Sequence, residues 1–301
     1  MSEDQNLEQF INTSAQSQEG GKSISDYKNK ESKERHYYGD ALNDDNVNDI
    51  VDEVIPHVVV LVGFPEYGKS TFVASFYHAL LTTGKIGKYK FVDSDTIAGF
   101  ERRAHVRNLE IKLKERLDRT PVYADYFLSV LFQNEETDQL IKIVLSDRSG
   151  ESYQNYAKNE SAINQDRALK YANHILFFLD AAKTASNDGF FELQTQLNQL
   201  TIRMNKYGAF SDNKRIDVVF NKIDLVAANG EYGNNKQEIL KLISRVTTIN
   251  KEFELSSKQV PNNEELNKFF IYLLESCANP KYNTEEDTRQ LDWVNKELAN
   301  I

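Results

Sequence analysis

Cysteine is almost absent: Cys277 is the only one in 301 residues, so neither an intrachain disulfide nor a multi-cysteine metal site can form. A reducing, cytoplasmic setting is expected. Long apolar runs are missing too. The longest aliphatic stretch, Val58-Val-Val-Leu-Val62, falls far short of the ~20 residues that span a bilayer, and no membrane insertion is expected. Positive charge is in deficit: 36 Lys and Arg against 46 Asp and Glu leave a net charge of -10, which repels phosphodiester backbones and argues against direct nucleic-acid binding. The first 38 residues lack the charged start, apolar centre and small-residue cleavage site of a secretory signal, so no export is expected. The five histidines, His36, His57, His78, His105 and His174, have no metal-binding or catalytic-pair spacing. There is no Gly-x-Ser-x-Gly elbow and no aromatic-basic ladder.

What is present changes character along the chain. Residues 1–54 are polar, with isolated apolar residues such as Leu7, Phe10 and Ile24 in no sustained period, and read as a loosely held arm, either a solvated tail or a segment that folds on a partner. From His57 short aliphatic runs alternate with polar helical stretches, the texture of a parallel sheet. Strands are predicted at Val58 to Val62, Val122 to Phe132, Leu140 to Leu145, Ile175 to Leu179, Ile216 to Phe220 and Phe253 to Leu255, the second and third forming an antiparallel hairpin at one edge. Helices are predicted at Ser70 to Leu81, Ser152 to Tyr171, Phe190 to Tyr207, Asn235 to Thr248 and Asn263 to Cys277. The expected fold is α/β: a P-loop nucleotide-binding domain over residues 55–278, with a doubly wound, mostly parallel six-stranded sheet, one antiparallel edge strand and helices on both faces. A charged helical insertion is expected at about residues 88–119, opening at Asp93-Ser-Asp-Thr96. The tail, 279–301, holds a possible short helix with Leu291, Val294 and Leu298 on one face, which either packs back on the domain or docks another protein.

Four ordered motifs, each ending a predicted strand, carry the chemistry: Gly63-Phe64-Pro65-Glu66-Tyr67-Gly68-Lys69-Ser70, Asp147-Arg-Ser-Gly150, Asn221-Lys222-Ile-Asp224 and Ser256-Ser257-Lys258. In the first, backbone N–H groups at a helix start would cradle phosphates. Lys69 would bridge the β- and γ-phosphates, Ser70 would ligate Mg²⁺, and Thr71 would cover the α-phosphate side. In the second, Asp147 would hold Mg²⁺ through water and the N–H of Gly150 would sense the γ-phosphate. The third specifies the base: the Asp224 carboxylate accepts from N1–H and the exocyclic amine of guanine, which adenine does not offer. Lys222 would lie over the base, Asn221 would tie this loop to the phosphate loop, and Ser257 and Lys258 would support the ring. The implied ligands are GTP/GDP and Mg²⁺.

The hydrolytic residues are less clearly marked. Thr120, just ahead of a predicted strand, is the candidate switch threonine that completes the Mg²⁺ shell, with Thr96 as runner-up and helix cap as its competing role. Glu151 stands after Gly150, where a glutamine commonly orients water. Arg119, with Arg116 and Arg148 as further candidates, is either an internal arginine finger or a surface arginine paired with a carboxylate.

The motif with proline third, Gly63-Phe-Pro-x-x-Gly-Lys-Ser-Thr71, resembles that of the translation-factor-related class of P-loop GTPases. Together with Phe91-Val-Asp-Ser-Asp-Thr-Ile-Ala-Gly-Phe-Glu-Arg-Arg-Ala-His105, Leu145-Ser-Asp-Arg-Ser-Gly-Glu151 and Val218-Val-Phe-Asn-Lys-Ile-Asp224, the chain resembles the double-GTPase group of prokaryotic conflict systems over about residues 57–260. The resemblance implies a GTP-hydrolysing switch or sensor in a bacterial defence assembly, with a protein partner or effector and a second GTPase among the possible partners. It also implies that the Ser94 to Phe100 segment is functional and that Glu151 is normal for the group.

Overall fold

A computed structural model describes residues 39–43, 54–106, 126–226, 231–258 and 263–280. One mixed sheet runs through them. Its strands are β1 (Pro56–Val62), β2 (Lys85–Ile86), β3 (Tyr89–Asp93), β4 (Phe127–Asn134), β5 (Leu140–Ser146), β6 (His174–Asp180), β7 (Arg215–Asn221) and β8 (Lys251–Leu255), in the spatial order β2-β3-β4-β5-β1-β6-β7-β8. Strands β5, β1, β6, β7 and β8 are parallel, whereas β2, β3 and β4 pair antiparallel at one edge.

β1 shows why the sheet is covered on both faces. Its aliphatic run has no polar side, as expected of a central parallel strand, and the period of two divides it between two cores. Val58, Val60 and Val62 face the layer of α3 (Gly150–Lys158), α4 (Arg167–Tyr171), α6 (Asn187–Tyr207) and α7 (Glu231–Ser244), whose buried residues include Tyr153, Leu169, Leu197 and Ile239. Val59 and Leu61 face α1 (Lys69–Thr83), α2 (Ile97–Val106) and α8 (Glu264–Ala278). Phe72 of α1 lies 5.0 Å from Phe178 and 5.6 and 5.5 Å from Phe269 and Phe270, ring centroid to centroid, so the first helix is seated by aromatic packing. A short helix α5 (Ala181–Ala185) follows β6 directly.

The sheet has eight strands rather than six; of the two extra ones, β2 lies just ahead of the expected helical insertion and β3 falls within it. Gly84 ends α1 in the left-handed conformation, its N–H donating to Leu80 O, and the chain turns at once into the β2–β3 hairpin that extends the edge. Of the expected insertion at 88–119, residues 97–106 form α2, and 107–119 lie outside the described residues. The alternation predicted from Val122 begins its strand at Phe127, and residues 122–125 also lie outside.

The single helix predicted for Ser152 to Tyr171 is three pieces. Asn159 ends α3 and its side chain accepts from Ser161 N–H to start a 3₁₀ turn, Glu160–Gln165; Asp166 then caps α4 by accepting from Leu169 N–H. α7 stops at Ser244, short of the expected Thr248. Part of the supposed N-terminal arm belongs to the domain: Ala41 and Leu42 are buried, and Leu42 exchanges backbone hydrogen bonds with Phe127. The tail beyond Pro280 lies outside the described residues, as do residues 1–38 and 44–53 of the arm.

The topology fixes one fact about function. Val62, Ser146, Asp180, Asn221 and Leu255 are the last residues of five parallel strands, so the loops after them gather along a single edge of the sheet. Phe127, the first residue of antiparallel β4, pairs with Ser146 and reaches the same edge.

Candidate nucleotide site

The loop Gly63–Gly68 crosses from β1 to α1. Gly68 has a φ of +88°, and a β-carbon there would lie 2.1 Å from Asn221 Nδ2, so only glycine fits beside that amide. Because α1 begins at Lys69 behind a cap with no side chain, the N–H groups of its first turn have no acceptor within the helix. An anion is the natural partner of such groups. Phe64 and Tyr67 are buried and meet edge to face at 5.7 Å, pinning the loop to the core, whereas Ser70 is exposed.

Lys69 turns back over the loop. Its Nζ donates to Gly63 O at 2.5 Å and lies 5.5 Å from the ring centroid of Tyr153. Burial lowers its pKa to about 8, opposed by the charges of Asp147 and Glu151. A buried ammonium lacking a strong counter-ion is a receptor for negative charge.

Asn221 joins three of the motif loops. Its Nδ2 donates to Tyr67 O at 2.9 Å, while its Oδ1 accepts from Ser257 N–H at 3.0 Å and from the Ser257 hydroxyl at 2.9 Å. Ser257 O in turn accepts from Ser75 Oγ of α1 at 2.5 Å. Lys222 has a left-handed φ of 63°, and its ammonium pairs with Asp180 Oδ2 at 2.6 Å. Asp224, in a 3₁₀ turn at Ile223–Leu225, is exposed, as is Lys258.

The second motif touches the first. A β-carbon on Gly150 would lie 2.2 Å from Pro65 N, so the start of α3 rests on the phosphate-loop backbone. Asp147 is buried; its Oδ2 accepts from Arg103 Nε at 2.6 Å and its Oδ1 is buried with no hydrogen-bond partner. Among the described residues no cluster of three or more His, Cys, Asp or Glu could hold a metal ion. A cation here would draw on the Ser70 hydroxyl and, directly or through water, on Asp147 Oδ1; that hard-oxygen set suits Mg²⁺.

The candidates for the hydrolytic step divide. Arg116, Arg119 and Thr120 lie outside the described residues. Thr96, the runner-up threonine, is buried: its hydroxyl accepts from Ser129 N–H at 2.8 Å and faces Ser129 O at 3.3 Å, so it is committed to β4. Arg148 points the other way, its Nε 3.0 Å from Asp166 Oδ2 and its guanidinium on the Tyr156 hydroxyl. Glu151 is half-buried in the first turn of α3.

Two residues of the site escaped the sequence reading. Asp180 ends an apolar run and precedes Ala-Ala, a helix-cap signal that marks it in hindsight; its Oδ1 accepts from Lys183 N–H while Oδ2 takes Lys222. Arg103 sits within the charged segment Glu101-Arg-Arg103 and carries no local signal, because its partner is 44 residues away.

The sequence matches the family model described as Double-GTPase 2 over residues 57–273, well over half of its length. The chain belongs to this family. As a Double-GTPase 2 member it is a protein of the GTP-binding switch type. No curated protein sequence matches it. Among solved structures, similarity extends to a bacterial selenocysteine-specific elongation factor, 14% identical with a TM-score of 0.38, covering 73% of this chain and 29% of that one. It extends also to a nucleolar GTP-binding protein 1 from Plasmodium falciparum, 18% identical with a TM-score of 0.43, covering 83% and 97% of the two chains. The Double-GTPase 2 chain thus spans less than a third of the elongation factor's length, and likeness at these TM-scores carries no argument about activity. Among the described residues of the Double-GTPase 2 protein no helix is long and apolar enough to cross a membrane.

Proposed function

We propose that this Double-GTPase 2 protein binds GTP with Mg²⁺ and hydrolyses it by in-line attack of water, slowly in the absence of a partner. The observation that carries the reading is the Asn221 side chain, which joins the phosphate loop at Tyr67 to Ser257 on a third loop, beside the exposed carboxylate of Asp224. In this reading Lys69 neutralises the phosphates, and Ser70, Thr120 and Asp147 hold the cation. Gly150 N–H senses the γ-phosphate, Glu151 orients water, and Asn221, Lys222, Asp224, Ser257 and Lys258 read or support guanine. The protein acts as a cytoplasmic regulatory or sensor component of a bacterial defence system, changing its switch loops for a protein effector or a second GTPase.

The burial of Arg148 against Asp166 supports a second reading, a non-hydrolysing GTP-gated docking module, because that arginine is committed elsewhere. Single-turnover release of γ-phosphate from bound GTP separates the two. Release that disappears in Lys69→Ala supports hydrolysis; tight binding with no release supports the module. Asp224→Asn is expected to shift preference from GTP to xanthosine triphosphate, whose extra carbonyl suits an amide donor. Unchanged preference in competition binding would refute the assignment of the base loop.

A further inference from the structure

Arg103 connects the cation-binding carboxylate to a helix that otherwise plays no part in the site. Its Nε donates to Asp147 Oδ2 at 2.6 Å, its Nη1 donates to Gly99 O at 2.9 Å, and the guanidinium lies 5.3 Å from the Tyr126 ring centroid. The pair is buried, with Arg103 12% and Asp147 1% exposed at the side chain. The helix that carries it, α2, is firmly held at other points. Phe100 stacks on Tyr77 of α1 at 5.5 Å, Glu101 accepts from the Tyr77 hydroxyl at 2.5 Å, and Gly99 N–H donates to Gly39 O at 3.0 Å. Displacing Arg103 therefore bears on α2, α1 and the 39–43 segment together.

Asp147 presents one oxygen to the guanidinium and leaves the other buried without a partner. A divalent cation held by that second oxygen, directly or through one water, would place a second positive centre beside the same carboxylate. Two cations sharing one carboxylate in a buried setting repel, so each weakens the other. By linkage, whatever the cation loses to Arg103, the Arg103 contact loses to the cation.

We propose that Arg103 is a positioning residue of the nucleotide site that acts through Asp147: it competes with the divalent cation for that carboxylate, so α2 registers the cation-loaded state. The inference rests on the reading of the site as a Mg²⁺-dependent guanine-nucleotide site. It concerns binding rather than turnover.

The test uses the full-length protein and a fluorescent GDP analogue, following analogue release as Mg²⁺ is titrated. Arg103→Gln is expected to lower the Mg²⁺ midpoint about tenfold, the order that removing one nearby charge supplies. Arg103→Lys, which keeps the charge but not the planar fork, shifts it less in the same direction. Arg102→Gln, on the same helix but paired with Asp40 at the surface, leaves it where it was. Hydrogen exchange over 97–106 should quicken when Mg²⁺ is added to the GDP-bound wild type and not in Arg103→Gln. A midpoint unchanged or raised in both Arg103 variants overturns this inference alone. Wild-type protein that binds no guanine nucleotide overturns the reading of the site as well.

Discussion

A β-carbon on Gly150 would fall 2.2 Å from Pro65 N and 2.4 Å from Pro65 Cα, both backbone atoms, so alanine can enter only by pushing α3 off the phosphate loop. Overpacking of this kind costs about 1–3 kcal/mol. Gly150→Ala is expected to lose stability on that scale in urea melts and to weaken nucleotide binding at least about tenfold; a variant that binds and melts like wild type would mean the two loops do not meet. Single residues were legible to very different degrees. Lys69, Ser70, Asn221 and Asp224 could be named as candidates because each belongs to a local pattern of fixed spacing. Arg103 and Asp180 could not, because their roles come from partners remote in sequence, Asp147 and Lys222. Arg148, a further candidate beside Arg119 and Arg116 for the arginine finger, is received instead by Asp166.

At the scale of elements, the turn between β3 and α2 depends on a buried ion pair. Lys142 of β5, 1% exposed, meets Asp95 Oδ2 at 3.1 Å, and Ser94 and Thr96 hydroxyls fasten the same turn to Ser129 O. Removing one partner leaves the other charge buried, which costs about 3–5 kcal/mol. Asp95→Ala should therefore destabilise the protein on that order in denaturant melts, with Asp95→Leu/Lys142→Met recovering much of the loss; a near-neutral Asp95→Ala would show that the turn is held by its hydroxyls alone. The sequence suggested a charged helix from Ile97 and none of the two preceding strands. β2 has only two residues, too few for a period, and β3, with a single buried residue, Tyr89, and exposed Lys90 and Asp93, shows no clean alternation. The helix predicted as one piece from Ser152 breaks where Asn159 and Asp166 accept backbone N–H groups, side chains that compete with helical continuation.

Across the whole molecule, the end of the sheet opposite the nucleotide loops holds a second buried polar group. His57 of β1 lies 6.4 Å from His174 of β6, ring to ring, and His174 Nε2 and the Tyr272 hydroxyl both meet Asp217 Oδ2 of β7, at 2.8 and 2.7 Å. Burial, then the charges of His174 and Arg215, push the His57 pKa from 6.5 down to about 3. A pKa lower in the folded state means that the unfolded chain binds the extra proton between those values, so the contribution is full above pH 6.5 and is lost as pH falls toward 3. His57→Leu should flatten the stability profile in that window by up to about one proton's slope, ~1.4 kcal/mol per pH unit; equal slopes in urea melts at pH 6.5, 5.5 and 4.5 would contradict the burial account. The sequence by itself determined the family, because its motifs are local patterns, and the sheet-and-helix alternation, because strand and helix periods are written in consecutive residues. Tertiary structure alone decided which charges face the site. Asp147 meeting Arg103 rather than its neighbour Arg148, Lys222 meeting Asp180, and Asn221 joining three loops all follow from parallel strands ending along one edge, which brings together residues that no local pattern connects.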